Sequence, residues 1–196
     1  EIGGPRIVRS GFIEGKSPYS ANLGFVVDSE QKAIEAVRWY AARGYHQIKV
    51  YNSTDPAWTA AIVKEAHRLG MPVAGHVPAF STTDRVLEAG YDEITHINQF
   101  MLNWVLAPGE DTRTLLRITA LKRLSDVDLT SQKVRHTIAR MVEGRKAIDP
   151  TLGIMEQLTH NRDGQVPPGV VDYLDHMPPG YRRAQMKAWV AIGSPA

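Results

Sequence analysis

Residues 44–98, GYHQIKVYNSTDPAWTAAIVKEAHRLGMPVAGHVPAFSTTDRVLEAGYDEITHIN, decide how this chain is read. Three β-prone runs stand in that stretch, at 46–51, 71–77 and 91–97, with two helical patterns between them. Asp55-Pro56 opens the first helix, since proline suits the first helical position. Trp58, Ile62, Val63 and Ala66 share one of its faces, and Gly70 ends it. Ser81-Thr82-Thr83-Asp84 has capping-box spacing ahead of Val86 and Leu87, and Gly90 ends the second helix. Strand, helix, glycine and strand again, over short loops, is the pattern of βαβ units in a parallel sheet.

The same rhythm extends towards the N-terminus. Residues 5–13 read as a strand leading into a polar loop at 14–20, and 23–27 as a shorter β-prone run. Asp28 and Gln31 have capping-box spacing for a helix whose apolar stripe is Ile34, Val37 and Ala41, with Tyr40 at its edge. Gly44 suits the position just past its end. Towards the C-terminus the rhythm loosens. Helices are expected over 99–105, 111–124 and 131–143, the last with Val134, Ile138, Met141 and Val142 apolar and Gly144 as its stop. Ala147-Ile148 then reads as a brief strand. From Glu156 onward proline and glycine are frequent, with one helix expected over 181–192. Residues 1–196 are thus expected to form a single partial domain, with 152–196 a helical insertion or connecting segment.

Composition narrows the function classes. A chain of 196 residues, 43% hydrophobic and 22% charged, has the makings of an ordinary globular domain. A net charge of +2, with no run of Lys and Arg, argues against a nucleic-acid partner. No apolar run approaches the roughly 18 residues of a membrane span. With no cysteine, any metal must be held by nitrogen and oxygen ligands. No signal peptide is visible, the chain opens at Glu1, and both ends read as cut, so the compartment stays open.

Three residues with metal or acid–base chemistry recur at one place in the repeat. Lys49 lies near the end of its strand, His76 at the end of the next, and His96 near the end of the third. In parallel α/β folds the strand carboxyl ends share one face, and in barrels that face carries the active site. The three side chains are therefore expected to converge. The ordinary alternatives are a solvated lysine, a loop histidine bonded to backbone and a core histidine. Ile48 and Val50 argue against the first, because they give the lysine's strand a buried face, where an unpaired ammonium is costly. Tyr51 has the same strand parity as Lys49 and is a candidate hydrogen-bond donor to a substrate carbonyl, its alternative being a packed rim aromatic. His67 reads as a residue packed between helix and sheet. Asn98 and Asn103 are candidates for the mouth of the site. Trp39 lies off its helix's stripe and suggests no role.

The segments HQIKVY, EAHRLGMPVAGHVP and LEAGYDEITHIN closely resemble the amidohydrolase superfamily, in particular its imidazolonepropionase-like and prolidase-like branch. The resemblance implies a (β/α)8 TIM barrel holding two divalent metals, usually zinc, at its strand carboxyl ends. In that family the fourth strand supplies a lysine, often carboxylated, which Lys49 matches. The fifth and sixth strands supply histidine ligands, which His76 and His96 match. The family's first-strand His-x-His pair and eighth-strand aspartate have no counterpart here. Asp149 is the one candidate for the aspartate, but KAIDPTL looks like the seventh strand, which carries no ligand. An α/β partial barrel is therefore expected, about strands three to seven.

The activity implied is hydrolysis of a C–N bond, in an amide, cyclic amide or dipeptide, by a metal-activated hydroxide in the parent protein. The chain alone is expected to be inactive. A non-catalytic barrel remnant, acting as a structural or interaction domain, is the rival reading. A phosphate-binding α/β domain is disfavoured because no glycine-rich loop opens a helix. About five strands cannot close a barrel, so the open edges are expected to favour a homo-oligomer.

Overall fold

Six short parallel strands form one sheet in the computed structural model, which describes residues 3–188. Contacts divide the chain into two units, Glu1–Pro150 and Thr151–Ala196. The sheet lies in the first. Its strands are β1 (Ser10–Gly15), β2 (Phe25–Val27), β3 (Gln47–Val50), β4 (Val73–Gly75), β5 (Glu93–Thr95) and β6 (Ala147–Asp149). They run in the order β2-β1-β3-β4-β5-β6, and the sheet does not close. Helix α1 (Glu30–Ala41) precedes β3, α2 (Thr59–Arg68) precedes β4, and α3 (Thr83–Glu88) precedes β5. Between β5 and β6 stand α4 (Ile97–Leu102), α5 (Leu116–Thr119) and α6 (Gln132–Glu143).

Local chemistry sets the helix starts, one residue away from two expected caps. Ser29, rather than Asp28, caps α1: its hydroxyl accepts from the Lys32 amide at 3.4 Å, while Asp28 pairs with the Lys32 ammonium at 2.7 Å. Thr82 caps α3 by accepting from the Arg85 amide at 3.2 Å. Asp55 accepts from the Ala57 amide at 2.9 Å and starts a 3-10 turn, Pro56–Trp58, that runs into α2. The helix expected over 111–124 is instead α5 followed by a 3-10 segment, Ala120–Asp126. On α6 Ile138 and Val142 are exposed, and only Val134 and Thr137 are buried.

Strand alternation gives the sheet two distinct faces. Ile13, Ile48, Val50, Val73 and Ile94 are fully buried and join Val37, Ile62 and Val86 in one core between sheet and helices. Each such side chain stabilises the fold by about 1.5–3 kcal/mol. The opposite face carries a row in register across five strands: Phe12 beside Lys49, then Ala74, Glu93 and Ala147. Two residues further along those strands come Glu14, Tyr51, His76, Thr95 and Asp149. The helix-facing rows are purely aliphatic; this one is largely polar.

The second unit holds α7 (Leu152–His160), two 3-10 turns at Pro168–Val170 and Leu174–His176, and α8 (Pro179–Gln185). The Asn161 amide donates to the Gln185 carbonyl at 2.9 Å, tying the ends of the two helices. The helix expected over 181–192 begins two residues earlier and ends at Gln185, and residues 189–192 lie outside those described.

Candidate active site

His76 is the centre of the polar row. It follows β4, is 3% exposed, and its ring centroid lies 3.9 Å from that of Tyr51 and 4.7 Å from that of His96. Tyr51 in turn packs on Phe12 at 4.9 Å. The tyrosine therefore lies on the polar face, as its parity with Lys49 requires, with its ring against the histidine. His76 Nδ1 meets Asn52 Oδ1 at 2.5 Å. Among the described residues His76 Nε2 is buried with no hydrogen-bond partner.

His96 reaches this place by a backbone detour. It has the parity of Ile94, whose side chain is buried among the helices. Continued regular strand geometry would send His96 the same way. Instead its φ is 73° and its ψ 123°, a conformation costing a non-glycine residue about 1–3 kcal/mol. That backbone is held by the His96 amide, which donates to the Asp149 carbonyl at 2.6 Å, and by the Ile97 amide, which donates to Pro150 at 3.1 Å. The turn brings the ring back onto the polar face, edge-on to His76.

The electrostatics show how close these groups stand. Burial lowers the pKa of Lys49, against the carboxylates of Asp149 and Glu93, which raise it. Burial also holds His76 well below the usual histidine range, and the charges of His96, Lys49 and Arg117 lower it further. His96 is lowered by burial and by Lys49, with Asp149 acting against them. Glu93 is raised by burial and by Asp149. Lys49 is thus the common neighbour, acting on His76, His96 and Glu93 and feeling the charge of Asp149. Both imidazoles favour the neutral form that binds metals.

Not every expectation for the surrounding residues holds. Asp149 stands on β6 beside β5, as its reading as the next strand expects, and lies opposite Thr95, where its charge acts on Lys49 and His96. Asn103 lines a cavity beside α3 and α4, away from the histidine pair, and its amide donates to Thr137 at 3.1 Å and Asp84 at 3.2 Å, bracing α6 and α3. His67 is not a packing residue but a surface partner of Asp92, at 2.7 Å. Trp39 belongs to an aromatic cluster with Phe25, Tyr40 and Tyr45, with Arg43 over its ring at 3.8 Å. Asn52, against His76, and Glu14, bonded to the Ser53 amide, carry no sequence signal of their own.

The first unit is thus an open section of a parallel α/β barrel, with polar residues gathered at its strand carboxyl ends. Among solved structures the chain is similar to a bottromycin amidohydrolase, with a TM-score of 0.60, 23% identity, and coverage of 89% of this chain and 35% of that one. It is also similar to a Xaa-Pro dipeptidase with methionine bound in its active site, with a TM-score of 0.51, 19% identity, and coverage of 94% of this chain and 42% of that one. The likeness shows the fold: a partial (β/α)8 barrel of the kind found in amidohydrolases and prolidases. The chain spans from about a third to two fifths of the length of those structures. No protein-family model matches the sequence, and no curated protein matches it.

Proposed function

We propose that this chain is a section of the catalytic barrel of a metal-dependent amidohydrolase that cleaves the C–N bond of a small amide or dipeptide-like substrate. The observation that carries the reading is the convergence of Lys49, His76 and His96 at the ends of consecutive strands, with His76 Nε2 buried and unpartnered among the described residues. An orphaned imidazole nitrogen in a buried polar site fits a ligand to a divalent cation. His76 and His96 would supply neutral nitrogens. The amine of Lys49, which burial drives towards the neutral form, is the form that adds CO2 and releases a proton to give an anionic carbamate. That carbamate would bridge two ions, with zinc the proposed metal. When bound, such ions polarise an amide carbonyl and acidify a shared water. Tyr51, with its ring against His76, would donate to the substrate carbonyl.

The sequence contains no His-x-His pair, and among the described residues no three His, Asp or Glu side chains are arranged to hold a metal by themselves. The proposed turnover therefore belongs to a protein that supplies the missing ligands, and the chain alone is inactive. The same observation favours the second reading, a non-catalytic barrel remnant with a structural role. Residues 152–196 are read as a helical insertion or connecting segment of that barrel.

Translation of the reading frame on both sides separates the two. The enzyme reading expects a strand-ending His-x-His upstream and a strand-ending Asp downstream. In a protein carrying both, Lys49→Ala should lower kcat/KM on Xaa-Pro dipeptides by at least about 100-fold, since even outer-shell partners are worth 10–100-fold. Absence of both flanking motifs establishes the remnant reading instead.

A further inference from the structure

The metal-binding reading leaves open what holds His76 in a usable form. Asn52, directly after Tyr51, is 3% exposed. The orientation of its amide group follows from its second partner. The Nδ2 donates to the Thr112 carbonyl at 3.4 Å, an atom that can only accept. Oδ1 must then face His76, so His76 Nδ1 carries the proton. In a neutral ring this leaves Nε2 as the bare nitrogen, and Nε2 is the atom buried without a partner.

Asn52 is itself braced from two sides. Its carbonyl accepts from the Ala79 amide at 2.8 Å, in the loop that follows His76. The next residue, Ser53, donates its amide to Glu14 Oε1 at 2.7 Å. Glu14, at 0% exposure, is the penultimate residue of β1, on the same sheet face as His76. It also accepts from the Gly15 amide at 3.0 Å and the Ala21 amide at 3.3 Å. A fully buried carboxylate is costly unless its lone pairs are satisfied, and here three backbone N–H groups satisfy it, Gly15 from its own strand and Ala21 and Ser53 from two loops. These bonds hold the backbone that carries Asn52.

We propose that Asn52 is a positioning residue that fixes His76 as the Nδ1–H tautomer with Nε2 free to bind, and that Glu14 holds Asn52 in place through the Ser53 amide. The proposal rests on His76 being a ligand for its purpose, but its geometry is independent of that reading. Metal-binding histidines commonly hold their second nitrogen in such a bond, to a carboxylate or carbonyl. Here the acceptor is a side-chain amide, which adds no charge to the site.

The test is a long-range 1H–15N correlation spectrum of the metal-free 196-residue chain, which reports directly which ring nitrogen of His76 bears the proton. The wild type should show Nδ1–H. Asn52→Leu, similar in size but unable to accept, should shift His76 towards the Nε2–H form, and Asn52→Asp, which still accepts, should retain Nδ1–H. Glu14→Gln, able to keep the Ser53 bond, should retain it too while the Ala21 amide exchanges faster. An Nε2–H ring in the wild type, or an unchanged ring in Asn52→Leu, would overturn the proposal. Should Asn52→Leu not fold, the wild-type and Asn52→Asp spectra still decide it, because loss of Nδ1–H in either is contrary. Calorimetric titration with Zn2+ alone adds a second readout, expected to weaken by about 10–100-fold in Asn52→Leu. A correct tautomer with no zinc binding in the wild type would refute the metal reading and leave the positioning role standing.

Discussion

Gly75, the residue before His76, shows how tightly the backbone is drawn at the site. Its φ is +139°, and a Cβ added to it would collide with the backbone of Val50 on the neighbouring strand. The His76 amide donates to that same Val50 carbonyl at 2.9 Å. Gly75→Ala must therefore push β3 and β4 apart just where Lys49 and His76 are placed. We expect a loss of about 2–4 kcal/mol, from backbone strain and the forced separation, read as a lower urea midpoint. A midpoint equal to the wild type would show that the strands can part without cost. Lys49 and His76 were legible in the sequence because each ends a regular strand, where periodicity places the side chain. His96 was legible by its position in the repeat but not by its direction. A left-handed φ in a non-glycine residue has no mark in the sequence, and simple parity points the ring the wrong way. Asn52 and Glu14 were invisible because their roles lie in contacts with backbone far along the chain, which no spacing encodes.

At the scale of elements, the helices are joined by charge as well as by their core. Glu65 on α2 accepts from Arg38 on α1 at 2.6 Å and from Arg68 at 2.8 Å. Those guanidiniums, Arg68 first and then Arg38, hold its carboxyl down to about 2 from an ordinary value of 4.5. A carboxylate whose folded pKa is depressed adds stability that is fully present above its unfolded value. That stability is lost as pH falls through the folded one. The contribution of Glu65 should accordingly disappear between about pH 4.5 and about pH 2. Acid unfolding followed by circular dichroism should be shallower in Glu65→Gln over that window, with lower stability at neutral pH. Identical acid limbs in the two proteins would show that the α1–α2 pair is not coupled through this residue. The βα elements from β3 to β5 were legible because capping residues, apolar stripes and stop glycines agree there. Beyond β5 the chain forms short helices and 3-10 turns, whose weak periodicity cannot separate one long helix from two short ones. The second unit's α7 was missed for a related reason, since a proline and a glycine flank and enter it.

At the scale of the molecule, β2 and β6 form the two edges of the sheet, unpaired among the described residues. Strand β2 follows β1 after a loop at 16–24, shorter than a usual parallel crossover, and so adds a strand that five βα units would not supply. Exposed Ile148 on β6 and exposed Leu23 just before β2 lie at those edges. Open edges offer unpaired backbone groups to any other chain. Sedimentation velocity across a range of concentrations should show self-association of the isolated chain, and a compact monomer at every concentration would contradict it.

The central claim is that Lys49, His76 and His96 form one end of a metal site, and zinc binding tests it most directly. Crystals of the chain grown with Zn2+ should show an anomalous peak at the zinc edge within bonding distance of His76 Nε2 and His96, absent in His76→Ala crystals grown alike. A peak elsewhere, or none at this site in the wild type, would contradict the account and return the three residues to ordinary strand ends.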